Sequence, residues 1–150
     1  MSQSASRSRP PGGPVASAYP GERLGLPSSG RGSAAGWGRR ILALCLDWFA
    51  SILVAGAVVG PTVMSSRGWE AWVPMLVFVL EATVLTPLAG GSFGQLLTRV
   101  AVVRTDRRPV TVLAALLRTV LICLVVPPVI YDRDRRGLHD LAAGTVTVRR

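Results

Sequence analysis

The sequence predicts an all-α membrane protein: two transmembrane helices, a third helical segment that is re-entrant, interfacial or spanning, and a small cytoplasmic β pair. Three observations predict it. Ile41 to Gly60 is an apolar stretch whose single charge is Asp47, and about twenty such residues cross a bilayer as a helix. A second apolar stretch, Ala71 to Ala89, again holds one charge, Glu81. The arginines gather outside both, with six before the first stretch, four between residues 90 and 110, and five after residue 131. That is the positive-inside distribution of a membrane protein, and it puts both termini in the cytoplasm.

Composition agrees. The chain has 150 residues, enough for one small domain. Apolar residues make up 49% and mean hydropathy is +0.42, even with a polar N-terminus. All 17 basic residues are Arg, against 8 acidic ones, for a net charge of +9. A basic chain can bind nucleic acid. Here the arginines flank apolar segments, so no nucleic-acid partner is expected. Cys45 and Cys123 each lie within an apolar segment and lack metal-ligand spacing, so they read as small apolar residues. Neither a metal nor a cofactor is expected.

Residues 1–36 are rich in Ser, Gly and Pro with scattered Arg, the composition of a disordered, basic cytoplasmic tail. The membrane domain then covers residues 37–150. No apolar region precedes Ile41, so the tail is not a signal peptide. Tyr19 to Pro27 is its one stretch with enough apolar content to dock on the body, and a plain linker is the simpler expectation.

The first span enters at Arg39 and Arg40. A carboxylate at mid-membrane costs roughly 2.5–3.5 kcal/mol on the insertion scale, so Asp47 is expected to have a polar partner or a use. Arg40 stands seven residues earlier, nearly two turns and about 10 Å along the same helix face. It is the nearest partner in sequence, Arg118 is the alternative, and Ser51 one turn on offers a hydrogen bond. Gly56 and Gly60 form a small-xxx-small pair suited to close helix contact. Residues 61–70 make a short loop, where Trp69 and Trp72 suit one membrane interface as Trp37 and Trp48 suit the other. Asp47 lies about 10 Å from the Arg40 end and Glu81 about 12 Å from the Ala89 end, so antiparallel spans bring the two acids to similar depth.

Residues 90–110 form a cytoplasmic loop. Gly90 to Gly94 lacks the Gly-Lys-Ser/Thr ending of a phosphate loop. Arg99 to Arg104 is a short β-branched candidate strand closed by the Asp106-Arg-Arg-Pro109 turn. The third apolar segment, Val110 to Ile130, carries Arg118 on a weakly polar stripe with Thr111, Ala115 and Thr119, and Pro127-Pro128 breaks it. If it spans, five C-terminal arginines fall outside, against the positive-inside bias. A re-entrant or interfacial helix removes that conflict; a true third span is the alternative. The closing run Thr145-Val-Thr-Val148 alternates like a strand and can pair with Val100 to Val103 if both lie on one side.

Three features coincide. Arg40-Ile-Leu-Ala-Leu-Cys-Leu-Asp47 opens the first span, Gly91-Ser-Phe-Gly-Gln95 follows the second, and Arg136-Gly-Leu-His-Asp-Leu-Ala-Ala-Gly-Thr145 lies near the C-terminus. Together they resemble the RDD family of small bacterial integral membrane proteins. Arg40, Asp47 and Asp140 match the arginine and two aspartates for which that family is named. Ser92 stands where the family commonly shows Thr, and Glu81 is outside its signature. The resemblance implies a multi-pass protein of the bacterial inner membrane, and a fold and location more than an activity.

Two readings of the polar residues stand side by side. Arg40, Asp47 and Asp140 form a functional polar site, or Arg40 simply bridges the C-terminal region to the first helix. His139, the single histidine, relays protons near neutral pH or is a hydrogen-bonded structural residue. One histidine with scattered acids makes no metal cluster. No nucleophile, base and orienting group can be assembled, so the chain is not expected to be an enzyme. The expected function is an accessory, assembly or partner-binding membrane protein. Its partners are the lipid bilayer and either another membrane protein or a second copy. The alternative is an oligomeric ion- or proton-coupled transporter using Asp47, Glu81 and Arg118, oligomeric because two or three helices cannot enclose a path alone.

Overall fold

The computed structural model describes residues 17–124, 134 and 136–150. It is mostly helical, with a short antiparallel strand pair. Helix α1 runs Trp37–Val59 and α2 runs Val73–Ala89. A 3-10 turn over Trp69–Trp72 leads into α2, giving a helical path from residue 69 to 89. Both are long and apolar enough to cross a membrane, with mean hydropathies of 2.2 and 1.7. α1 starts one turn earlier than Ile41, which takes Arg39 and Arg40 into the helix. Pro74 sits in the first turn of α2, where its missing N–H has no helical partner to lose. Gly90 ends α2 at φ 79, a left-handed conformation that glycine adopts without a Cβ penalty.

The contact face of α1 is a ladder of small residues at every fourth position: Ala43, Asp47, Ser51 and Ala55 are buried. α2 answers with Pro74, Phe78, Ala82 and Thr86. Small side chains let two helix backbones approach closely. The opposite faces are apolar and exposed, including Phe49, Leu53, Val58, Leu80 and Leu88. Trp48 lies well inside α1, eleven residues after Trp37. It meets Phe78 edge-on, ring centroids 6.1 Å apart at 75°, a favoured aromatic geometry that holds it part-way along the helix pair.

Beyond α2 the chain makes a short helix α3 (Phe93–Leu97), strand β1 (Val100–Arg104), helix α4 (Val112–Cys123), a short helix α5 (Leu138–Ala142) and strand β2 (Thr145–Arg149). β1 and β2 pair antiparallel, from Val100 opposite Arg149 to Arg104 opposite Thr145. This is the pairing that the two β-branched runs suggested. Strand alternation sorts β2 into two chemistries. Val146 and Val148 join Ala101 in an apolar cluster, while Thr145 and Thr147 bond to Asp140.

α2 packs against both α1 and α4, α3 packs on α1 and β1, and α5 on α4 and β2. α4 has 12 residues, about 18 Å of helix, against about 30 Å of bilayer core. The described helix is therefore shorter than a span, and residues 125–130 of the third segment lie outside the described residues. Its buried residues are Ala115, Arg118 and Thr119 of the expected stripe, whereas Thr111 is exposed and caps the helix by accepting from Ala114 N–H. The Pro127-Pro128 break and residues 1–16 lie outside the described residues.

From residue 17 on, the N-terminal segment departs from the expected disordered tail, and its Tyr19 to Pro27 stretch takes the docked alternative instead of the plain linker. Residues 17–36 follow a fixed path. Leu24 and Leu26 pack on the Ala101, Val146 and Val148 cluster. Gly32 N–H donates to Arg149 O at 2.8 Å, Arg149 N–H to Ser33 O at 2.9 Å, and Ala35 N–H to Thr147 O at 2.9 Å. The physical reason is the open edge of β2, whose unpaired N–H and C=O groups accept another strand-like segment.

Candidate functional site

Two carboxylate networks stand one above the other, the first near the middle of α1 and α2 and the second between the first turn of α1 and the strand pair. The first is built on the N-terminus of α3. Ser92 caps that helix in a capping box with Gln95: the Ser92 side chain engages the N3 backbone, and Ser92 N–H donates to Gln95 Oε1 at 3.1 Å. Two N–H groups at the start of the helix remain, and the spans supply their acceptors. Phe93 N–H donates to Glu81 Oε1 of α2 at 2.6 Å. Gly94 N–H donates to Asp47 Oδ1 of α1, while the Ser92 hydroxyl donates to Asp47 Oδ2 at 2.6 Å. Free N–H groups and the helix dipole both favour negative charge there. The similar depth inferred for Asp47 and Glu81 thus becomes a shared target.

Gly94 is required by this arrangement. It is buried against α1, where a Cβ would run into the Ala43 carbonyl oxygen and stand 3.0 Å from Asp47 Cγ. The small ladder on α1 and the missing side chain on α3 are two halves of one close contact.

The partner expected for Asp47 is corrected by this geometry. Asp47 does not pair with Arg40, although both lie on α1. Arg40 turns toward the strand pair instead. Its Nη1 donates to Asp140 Oδ2 at 3.1 Å, its Nη2 to Thr147 O at 3.2 Å and its Nε to Ala35 O at 3.2 Å. Asp47 lies about two turns deeper, where α3 offers N–H donors that need an acceptor. Arg118, the alternative partner, lines the same cleft as Asp47 but gives its hydrogen bonds to Asp140, Thr145 and Thr147.

The second network centres on Asp140, which is 0% exposed. Oδ1 accepts from Arg118 of α4, from Thr145 Oγ1 at 3.1 Å and from Thr147 Oγ1 at 3.3 Å. Oδ2 accepts from Arg40 and from Thr147 Oγ1 at 3.2 Å. Arg118, 4% exposed, also donates through Nη2 to Thr147 Oγ1 at 3.3 Å. His139 is buried beside it, Nε2 lying 3.7 Å from Asp140 Oδ2. Burial raises the Asp140 pKa, but Arg118, His139 and Arg40 together outweigh that and hold the carboxyl below its ordinary 3.8. A buried carboxylate is tolerated when opposite charge and hydrogen bonds surround it.

The two networks face one cleft, lined among others by Arg40, Asp47, Ser92, Gln95, Arg118 and His139. Its interior room is about 80 Å³. That exceeds the roughly 10–15 Å³ needed for one water and falls far short of the roughly 300 Å³ of a drug-sized ligand site. The structure thus brings five of the six singled-out residues, Arg40, Asp47, Arg118, His139 and Asp140, around one region, with Glu81 beside Asp47 across the α3 N-terminus. Sequence reasoning missed Ser92, Gly94, Thr145 and Thr147 as their partners. Ser92-Phe-Gly-Gln95 carries the Ser-x-x-Gln capping-box pattern, and the alternating threonines share one strand face; both signals were present.

Comparison with known proteins found no match among curated proteins or among solved structures. The RDD family model matches residues 34–144, a span that contains Arg40, Asp47, the α3 turn and Asp140. With the arginine and both aspartates engaged in two interlocked networks inside the matched region, this chain belongs to the RDD family.

Proposed function

We propose that the chain is a small integral membrane protein of the bacterial inner membrane, non-catalytic, that acts as an accessory or assembly subunit by binding another membrane protein. In this reading α1 and α2 span the bilayer, α4 lies re-entrant or interfacial, and both termini are cytoplasmic. The arginine distribution supports that orientation. So does the β1–β2 pair, which keeps residues 100–104 and 145–149 on one side.

One observation carries the accessory role. Asp47 and Glu81 serve the chain's own α3 turn as acceptors, so they act as internal struts. The outward faces of α1 and α2 are apolar and largely uncovered, with 22% and 28% of their spans buried. Gly56 belongs to the small-xxx-small pair, and a Cβ there would meet nothing within 4 Å, which leaves that contact surface open to another chain. Purification in mild detergent tests the reading. A stoichiometric foreign membrane subunit is expected, and a chain that purifies alone in every detergent and crosslinks to no membrane protein would overturn it.

A second reading, an oligomeric ion- or proton-coupled transporter, is favoured by the small cleft that Asp47, Arg118 and His139 line together. It requires a homo-oligomer. It also requires ion flux in reconstituted vesicles that Asp47→Asn abolishes while the protein still inserts.

A further inference from the structure

A second groove lies away from the carboxylate cleft, where the docked N-terminal segment, the last turn of α2 and the turn after β1 meet. Its volume is about 590 Å³, within the roughly 300–1,000 Å³ typical of small-molecule sites. Leu24, Leu26, Pro87, Val102, Val110 and Val146 give it an apolar interior. Arg104, Arg107 and Arg108 line it as well.

These guanidiniums are not equivalent. Arg104 forks onto Asp106, Nε to Oδ1 at 3.0 Å and Nη2 to Oδ2 at 2.8 Å. That contact, with the Arg108 N–H and the nearby charges of Arg104 and Arg108, holds the Asp106 carboxyl down to about 2. Arg107 and Arg108 are exposed, and among the described residues their guanidiniums form no hydrogen bond or ion pair. Residues 104–108 keep a local charge of +2, three arginines less one aspartate. The turn is fixed: Thr105 N–H donates to Gly144 O at 3.0 Å and Arg107 N–H to Arg104 O at 3.2 Å. Arg107 is held at φ 60, a left-handed conformation that a non-glycine residue adopts only when its surroundings enforce it.

We propose that this groove binds an anionic phospholipid, its phosphate on Arg107 and Arg108 and the start of its acyl chains on the apolar floor. The inference rests on the reading of α1 and α2 as membrane spans. Thr86, Pro87 and Gly90 line the groove, which puts it where α2 leaves the hydrocarbon, at headgroup depth. An apolar interior beside unpaired arginines matches a molecule that is apolar at one end and anionic at the other. Arginine's planar fork suits phosphate oxygens, and basic pockets at a helix end recognise acidic headgroups.

The test uses the full chain in nanodiscs of equal parts phosphatidylcholine and phosphatidylglycerol, with native mass spectrometry after release. Phosphatidylglycerol is expected to stay bound in preference to phosphatidylcholine. A titration with short-chain phosphatidylglycerol is expected to weaken about fivefold per arginine removed, so roughly 25-fold for Arg107→Gln with Arg108→Gln. Arg67→Gln, in the loop at the other end of the helices, is expected to change nothing. Equal retention of the two lipids overturns the proposal, as does the same affinity in the double variant. Full displacement by equimolar inorganic phosphate overturns it too, in favour of a free-phosphate site. Release of the protein from membranes by an alkaline wash without detergent fails the membrane reading itself. A protein that needs detergent yet shows no lipid preference fails this inference alone.

Discussion

Asp47 and Ser92, 45 residues apart in sequence, are joined by a 2.6 Å hydrogen bond that ties α1 to the first turn of α3. The same carboxylate takes the Gly94 N–H. Through Asp47, one helix that can cross a membrane is bonded to the turn that follows the other, and Glu81 bonds that second helix to the same turn. The polar groups that look most costly in the sequence are the joints of the fold.

Asp47→Asn and Asp47→Leu separate charge from hydrogen bonding. Asn keeps an acceptor for Gly94 N–H, and the Ser92 hydroxyl can rotate to match the new amide. A loss below about 1 kcal/mol is expected, since a desolvated charge is removed as well. Leu leaves two buried donors without a partner, each costing about 1–3 kcal/mol. Thermal melts of the purified proteins in one detergent check this. Equal destabilisation by Asn and Leu would mean that the charge, not the acceptor, is what Asp47 provides.

Gly94→Ala tests the close contact. The added methyl cannot coexist with the Ala43 carbonyl, so α1 and α3 must separate and the Asp47 bonds lengthen. A loss beyond about 2 kcal/mol is expected, from overpacking and weakened hydrogen bonds together. The readout is folded yield and melting temperature beside Gly36→Ala, where a Cβ meets nothing within 4 Å. Equal behaviour of the two variants would sink the idea that Gly94 is there for lack of a side chain.

Much of this was legible in the sequence because it depends on period and charge. The two apolar runs, the paired β-branched runs and the stripe containing Arg118 are all local patterns. The choice of partners was not local. Arg40 lies nearest to Asp47 along the helix, so proximity paired them. The outcome is decided by α3, which is only five residues long and has no apolar periodicity to announce it. Its N–H groups need acceptors, and that need is visible only once Ser92 is recognised as a cap. Residues 17–36 were misread for a related reason: their composition is that of a disordered segment, and what fixes them is an open strand edge formed by residues more than a hundred positions later.

Asp140 gives the protein an acid limit. Its folded pKa lies below 3.8, so its contribution to stability is complete above that value. It is lost as pH falls through the lower folded pKa, where the unfolded state already binds the proton. Stability should therefore be insensitive to Asp140 from neutral pH to about 4 and fall below it. Asp140→Asn carries no titrating proton and should show a shallower acid decline, measured as melting temperature against pH. Parallel curves for the two proteins across that range would count against Asp140 as the titrating group.

Arg118 and Arg40 both hold Asp140, but their losses should differ. Arg118 is 4% exposed and has no solvent to replace the contact. Arg118→Met removes an ion partner from a fully buried carboxylate and the hydrogen bonds that it gives Thr145 and Thr147. A loss of about 3–5 kcal/mol is expected for breaking a buried pair from one side. The Arg40 side chain is 15% exposed, and water can take over part of its role at Ala35 O and Thr147 O, so Arg40→Met should cost less. The double change Arg118→Met with Asp140→Leu removes both charges, and Arg40, which also loses Asp140, keeps its donations to Ala35 O and Thr147 O and its partial exposure to solvent. The double change should be less destabilising than the sum of its single changes, with a coupling of about 0.5–3 kcal/mol. Strict additivity in that cycle would falsify the claim that Arg118 and Asp140 form one electrostatic unit.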